Sequence, residues 1–391
     1  MNIKSRLPNV GTNIFTIMSQ MALDHNAVNL GQGFPDFSPD PVLLELVNKA
    51  MHQGHNQYAA MAGVPQLRKQ ISEKIESLYG HKYDIDTEVT VTAGATEALM
   101  ASLLALVHPG DEVIVIEPFY DLYIPVIQLA GGIPVVVPMN PPSHSTSQPC
   151  YTVDWQRVED AITSRTRLLV INFPHNPTGI VLLEQDLDAL EHLVEKHGIL
   201  LLSDEVYEHI IFDGHTHLSL STRPKLVQNT IVVSSFGKTY HITGWKMGYC
   251  TAIPAITNEI RKVHQFTVFT TSSPFQHALA QYMTNPLPYM QLAAFYQKRR
   301  DYLIERLKTT RFKPLSCDGT FFLLADYSEV SDEDEAQFAR WLTTEHGVTT
   351  IPVSAFYQDP SDKNSNHQLI RLCFAKEDKT LDLAIDRLAL I

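Results

Sequence analysis

The chain has few cysteines: Cys150, Cys250, Cys317 and Cys373 are far apart and form no CxxC. That spacing argues against a disulfide framework or a cysteine zinc site and fits a reducing cytoplasm. Long apolar runs are missing too, none approaching the ~20 residues that span a bilayer. The first residues, MNIKSRLPNVGTNIF, lack the apolar core of a secretory signal. Positive charge is scarce: 30 Lys and Arg stand against 43 Asp and Glu, a net charge of −13. A nucleic-acid partner would want the opposite balance, clustered on one face. No GxGxxG follows a strand, so an NAD-linked dehydrogenase ranks low, and there is no internal repeat.

What is present is an alternation of helices with short, almost wholly apolar strands, as in a parallel sheet covered on both faces. Strands are expected at EVTVTA (88–93), EVIVIE (112–117), TRLLVIN (166–172), GILLLSD (198–204) and TIVVSS (230–235). Helices such as ATEALMASLLALV and LEQDLDALEHLVEKHG lie between them. After about residue 286 the pattern becomes α+β, with helices at LAAFYQKRRDYLIERLK, SDEDEAQFARWLTTEHG and KTLDLAIDRLAL and strands at TFFLLADY, TTIPVS and LIRLCFA. The expected division is an α/β domain over 41–285, a smaller α+β domain over 286–391, and an N-terminal segment, 1–40, joining the latter. The breaker-rich stretches at 140–149 and 359–368 read as surface loops.

Ligands of open parallel sheets bind beyond the carboxyl ends of the strands, so the residues at those ends are the candidates for a site. Gly94, Ala95 and Thr96 open a helix whose backbone N–H groups could cradle an anion. Tyr120, in EPFYDLY, either packs internally or stacks on a flat ligand. Asn172 and Asn176, in NFPHNPTG, form an ordinary Asn-Pro turn or orient a ligand oxygen. Asp204, followed by Glu205 and Tyr207, either caps a helix or pairs with a buried cation or protonated heterocycle. Lys238, near Ser235, is a surface cation or a desolvated amine able to form a Schiff base with a carbonyl. Lys246, eight residues on, is a surface lysine or meets a phosphate. Together these groups suit a phosphorylated, aromatic, carbonyl-bearing cofactor whose ring nitrogen wants an anion, and pyridoxal phosphate has those features.

The blocks VNLGQGFPDF, NQYAAMAGVPQLR, TAGATEAL, PHNPTG, SDEVYEHI, SSFGKTYHITGWKMGY and LIRLCFAK stand in one order along nearly the whole chain. In them the sequence resembles class I aminotransferases of fold type I, in the kynurenine and methionine aminotransferase branch, and most of all the bacterial methionine aminotransferase group. The resemblance implies a large domain with a mostly parallel seven-stranded sheet between helices, plus a smaller α+β domain. It also implies pyridoxal 5'-phosphate, with Lys238 as the lysine that holds it covalently and later moves the substrate α-proton. Asp204 would face the ring nitrogen, and Tyr207 and Asn176, with Asn172 beside them, the phenolic oxygen. Gly94, Ala95, Thr96, Ser235 and Lys246 would form the phosphate cup and Tyr120 the stacking ring. Tyr58 would reach the site of a neighbouring subunit, which implies a homodimer. Arg371 would grip the substrate α-carboxylate, a task guanidinium geometry suits.

Pocket positions of that branch fall on Phe15, Gly33, Phe34, Tyr58, Phe269 and Phe356, each Phe having core packing as its alternative. Such a wall favours methionine or phenylalanine-like side chains. No second arginine is evident for a distal carboxylate. The expected activity is ping-pong amino transfer from such an L-amino acid to a 2-oxo acid. Kynurenine transamination, cysteine-conjugate β-elimination and a non-catalytic cofactor-binding regulator are the alternatives.

Overall fold

The computed structural model describes residues 3–143 and 149–391. Part of the expected 140–149 loop, residues 144–148, therefore lies outside the described residues. Seven strands form the main sheet: β1 (Val89–Thr92), β2 (Glu112–Glu117), β3 (Ile133–Pro138), β4 (Thr166–Asn172), β5 (Leu200–Asp204), β6 (Thr230–Ser235) and β7 (Gly248–Thr251). Their order is β1-β7-β6-β5-β4-β2-β3, and only the two ladders made by β7 are antiparallel. β3 and β7 had no individual expectation. β3 is a partly exposed edge strand carrying Pro134 and Pro138, which weaken a strand reading, and β7 is a four-residue strand holding Gly248.

Burial on both faces explains the apolar strands: Leu168 through Asn172 of β4 are all buried, as parallel sheets require. The covering helices bury one stripe each. In Glu184–His197, Leu187, Leu190, Leu193 and Val194 face inward, Asp186 accepts the Leu183 N–H at 2.7 Å, and Gly198 ends the helix at φ +67°.

The ladders also decide what meets what. Asn172 is the register partner of Asp204, Ser235 of Gly248, and Gly248 of Thr92. Because β7 runs against its neighbours, its beginning lies beside the ends of β1 and β6. One edge of the sheet thus gathers Thr92, Gly248, Ser235, Asp204 and Asn172 in a row.

A second sheet, antiparallel throughout, contains β8 (Lys313–Pro314), β9 (Phe322–Asp326), β10 (Ile351–Pro352) and β11 (Leu369–Cys373), ordered β10-β11-β9-β8. The stretch expected as one strand at 349–354 is divided: Thr349 pairs elsewhere, Ile351–Pro352 is β10, and Val353–Phe356 is a 3-10 turn. Near the N-terminus, Val28–Asn29 pairs in parallel with Val348–Thr349, and Met18 packs with Ala339, Ile351 and Phe356. Apolar contacts join the two sheets, since Leu324, Val353 and Leu369 share a cluster with Ile171 and Leu201. Among the described residues no helix is long and apolar enough to cross a membrane.

Candidate active site

At the gathered strand ends lies a cavity of ≈ 300 Å³. Its wall includes Gly94, Ala95, Thr96, Tyr120, Asn172, Asn176, Asp204, Tyr207, Ser235, Lys238, Lys246 and Arg371, together with Phe15, Gly33 and Phe34. Three of the expected pocket positions lie elsewhere. Tyr58 is 86% exposed and packs edge-on against Phe269, itself 43% exposed with φ +68°. Phe356 is fully buried behind Phe15, with ring centroids 5.9 Å apart.

One end of the cavity is built for an anion. Helix α1 (Gly94–Leu106) begins there, and its first N–H groups have no partner within the helix. Gly94 has φ +73°, and an added Cβ would lie 3.4 Å from the Lys246 side chain. Gly248 is needed for closeness: a Cβ there would stand 2.8 Å from the Ala95 nitrogen. The Lys246 ammonium donates to the Thr96 hydroxyl at 3.0 Å, with Ser235 on the facing wall. Between Lys238 and Lys246 the chain turns at His241 and Lys246, both at positive φ, while Gly244 lies in a 3-10 turn with open space around it.

At the floor, the Asp204 carboxylate accepts from the Tyr123 hydroxyl at 2.8 Å and more distantly from the Val206 N–H at 3.4 Å. Burial pushes its pKa up to about 6, while those donors and the nearby Lys238 charge oppose the rise. Burial also brings Lys238 down to about 8, with the positive charges of Arg371 and Lys246 acting in the same direction. The Lys238 amine donates to the Gly33 carbonyl at 3.2 Å and sits 5.5 Å from the centre of the Tyr207 ring. Asn172 spends its amide on backbone, donating to the Asp204 carbonyl and accepting from the Asn176 N–H. It fixes the turn that presents Asn176.

Arg371 is 1% exposed, with no carboxylate partner among the described residues. Its guanidinium donates to the Asn176 side-chain oxygen at 2.6 Å and to the Gly31 carbonyl at 2.9 Å, while Nε has no partner among the described residues. Its centre lies 3.7 Å from that of the Phe322 ring and 5.2 Å from that of Phe15. Burial lowers its pKa to about 10. A buried, incompletely paired cation on a cavity wall is a receptor for an anion.

Phe322 and Tyr123 were not anticipated. Tyr123 stands three residues after Tyr120, and nothing in its spacing marks it as the hydrogen-bond partner of Asp204. The role of Phe322 depends on Gly33, whose absent Cβ would come 2.6 Å from Phe322 Cζ, a closeness that exists only after folding.

A mostly parallel sheet with an amine, a buried carboxylate and an anion cradle at its carboxyl edge defines a pyridoxal-phosphate-dependent transferase of fold type I. Residues 25–388 match the family described as aminotransferase class I and II, and the chain belongs to it. It is therefore a transaminase, and its cofactor is pyridoxal phosphate, which the cradle, carboxylate and amine fit. Methionine aminotransferase from Escherichia coli (strain K12) is 48% identical over 98% of this chain and 97% of its own. Kynurenine–oxoglutarate transaminase 3 from Mus musculus is 36% identical over 97% of this chain and 88% of its own. A solved Escherichia coli structure with an identified methionine aminotransferase function superposes with a TM-score of 0.95 at 48% identity, covering both chains completely.

Proposed function

We propose that the protein transfers the amino group of methionine, and of phenylalanine-like L-amino acids, to a 2-oxo acid in two half-reactions. The observation that carries this reading is the buried Arg371 guanidinium, incompletely paired and facing the same cavity as the Lys238 amine, with Phe15 and Phe34 lining the space around them. Arg371 would take the substrate α-carboxylate as a fork. Phe15, Phe34 and Phe322 would surround an apolar side chain, and beyond Lys238, Lys246 and Arg371 no Lys or Arg among the described residues lines the cavity to favour a second carboxylate.

When bound, pyridoxal phosphate supplies an electron sink for the pair left on the substrate α-carbon. Lys238 would hold it covalently, and its amine, lowered toward neutrality by burial, would then take and return the α-proton. Asp204 would keep a negative charge facing the ring nitrogen. Gly94, Ala95, Thr96, Ser235 and Lys246 would bind the phosphate, Tyr120 would stack on the ring, and Tyr207 and Asn176 would donate to its phenolic oxygen. The amide nitrogen of Asn176 has no protein partner among the described residues, which leaves it free for that bond.

The exposed Tyr58 and Phe269 pair supports a homodimer in which each chain completes its neighbour's site. A cytoplasmic location suits the four free thiols. We also retain the 1–40, 41–285 and 286–391 division, which the pairing of Val28–Asn29 with Val348–Thr349 supports. The test is the visible spectrum of the purified holoenzyme: methionine should bleach the bound-cofactor band and a 2-oxo acid restore it. No bleaching by any apolar or aromatic amino acid refutes the proposal. Pyruvate and ammonia from a cysteine conjugate would instead reveal β-elimination.

A further inference from the structure

Residues 31–36 form a strap along the cavity, contributing Gln32, Gly33 and Phe34 to its wall. It is fastened to the β11 segment at three points. Arg371 donates to the Gly31 carbonyl at 2.9 Å and Lys376 to the Phe34 carbonyl at 2.9 Å. Asp36 accepts from the Glu377 N–H at 2.7 Å and the Thr380 hydroxyl at 2.8 Å, which ties the strap to the start of the C-terminal helix Asp378–Leu388.

The middle fastening is the unusual one. Lys376 is 4% exposed, yet its ammonium has no carboxylate within 4 Å among the described residues. Burying a cation without a counter-charge is costly. Among the described residues the Lys376 ammonium donates to the Phe34 carbonyl and lies 5.0 Å from the centre of the Phe34 ring. The Lys376 carbonyl in turn accepts from Arg299 at 3.3 Å, so the lysine backbone is held in place. Phe34 is 44% exposed. Lys376 stands five residues after Arg371 on the same continuous segment, so one chain element locates both the guanidinium and the aromatic ring of the wall.

The geometry points to Lys376 as a positioning residue for side-chain discrimination. It fixes Phe34 relative to Arg371, so that a long apolar substrate side chain meets an ordered ring while its carboxylate meets the guanidinium. This rests on the amino-acid reading of the cavity. Lys376 does not touch the reacting atoms, and its loss acts on recognition rather than on proton transfer.

The experiment compares holoenzyme carrying Lys376→Met or Lys376→Arg with the parent, using methionine and alanine as donors to one 2-oxo acid. Lys376→Met should lower kcat/KM for methionine ~10-fold, through KM, the size of one lost aromatic contact. Alanine, too short to reach Phe34, should change less than about twofold, and Lys376→Arg should keep the parent's preference. Hydrogen exchange of the cofactor-free protein gives a reading independent of turnover: amides of residues 31–37 should exchange faster in Lys376→Met alone. An unchanged methionine-to-alanine ratio, or equal losses with both donors, overturns the inference. If the parent uses another amino acid in place of methionine, the substrate reading fails separately, and the same ratio taken with that amino acid decides the role of Lys376.

Discussion

Replacing Arg371 with methionine should separate what the arginine costs the fold from what it contributes to function. Burial lowers its pKa from the ordinary guanidinium range to about 10, which corresponds to about 3 kcal/mol held against the charged form. For a base lowered in this way, the penalty is present below pH 10 and vanishes above the unfolded value. Against it stand the two hydrogen bonds from the charged guanidinium to the neutral acceptors of Asn176 and Gly31, worth about 1.5 kcal/mol each. Methionine keeps much of the packing on Phe322, so cofactor-free Arg371→Met should be as stable as the parent to within about 1 kcal/mol at pH 7. Substrate binding should respond quite differently. A carboxylate held by two charge-assisted bonds gains about 3–6 kcal/mol, so kcat/KM for methionine should fall ~10²–10⁴-fold. Single-turnover bleaching of the cofactor band gives the second quantity and urea unfolding the first. A fall below about tenfold refutes the carboxylate role. A loss of activity accompanied by several kcal/mol of destabilisation would make Arg371 a structural residue instead.

Other outcomes can be checked in the same protein. Lys238→Ala should abolish turnover, and borohydride should fix cofactor mass onto the parent but not the variant. Lys246→Met should chiefly shorten cofactor retention during dialysis, with a smaller effect on the rate once the cofactor is saturating. Asp204 titrates near 6 in the fold against 3.8 in the free carboxyl, so its penalty is full above pH 6 and gone below about pH 4. Cofactor-free Asp204→Asn should thus gain about 3 kcal/mol over the parent at pH 8, a gain that disappears as pH falls through that window; a pH-independent difference contradicts the assignment. Gly33→Ala places a methyl group against Phe322 and should raise KM for methionine, at a stability cost of about 1–3 kcal/mol.

The sequence by itself determined the strands whose both faces are buried, because such strands must be apolar throughout, as Leu168–Ile171 and Leu200–Leu202 are. It also determined the chemistry-bearing side chains at their ends, since polar residues directly after apolar strands stand out. Block order along the chain added the family, and with it Arg371, which no local pattern distinguished. The tertiary structure decided how these groups meet. Antiparallel β7 brings Lys246 and Gly248 to the edge where the parallel strands end, a matter of pairing partners far apart in sequence. The Lys376 fastening joins positions 342 residues apart, and Phe322 matters because glycine at 33 lets a ring approach. Asn172 turned inward to backbone, Tyr58 and Phe269 outward to the surface, and Phe356 back into the core. Residue type and spacing record which groups are available, whereas desolvation, close approach and direction arise only once distant segments are packed against one another.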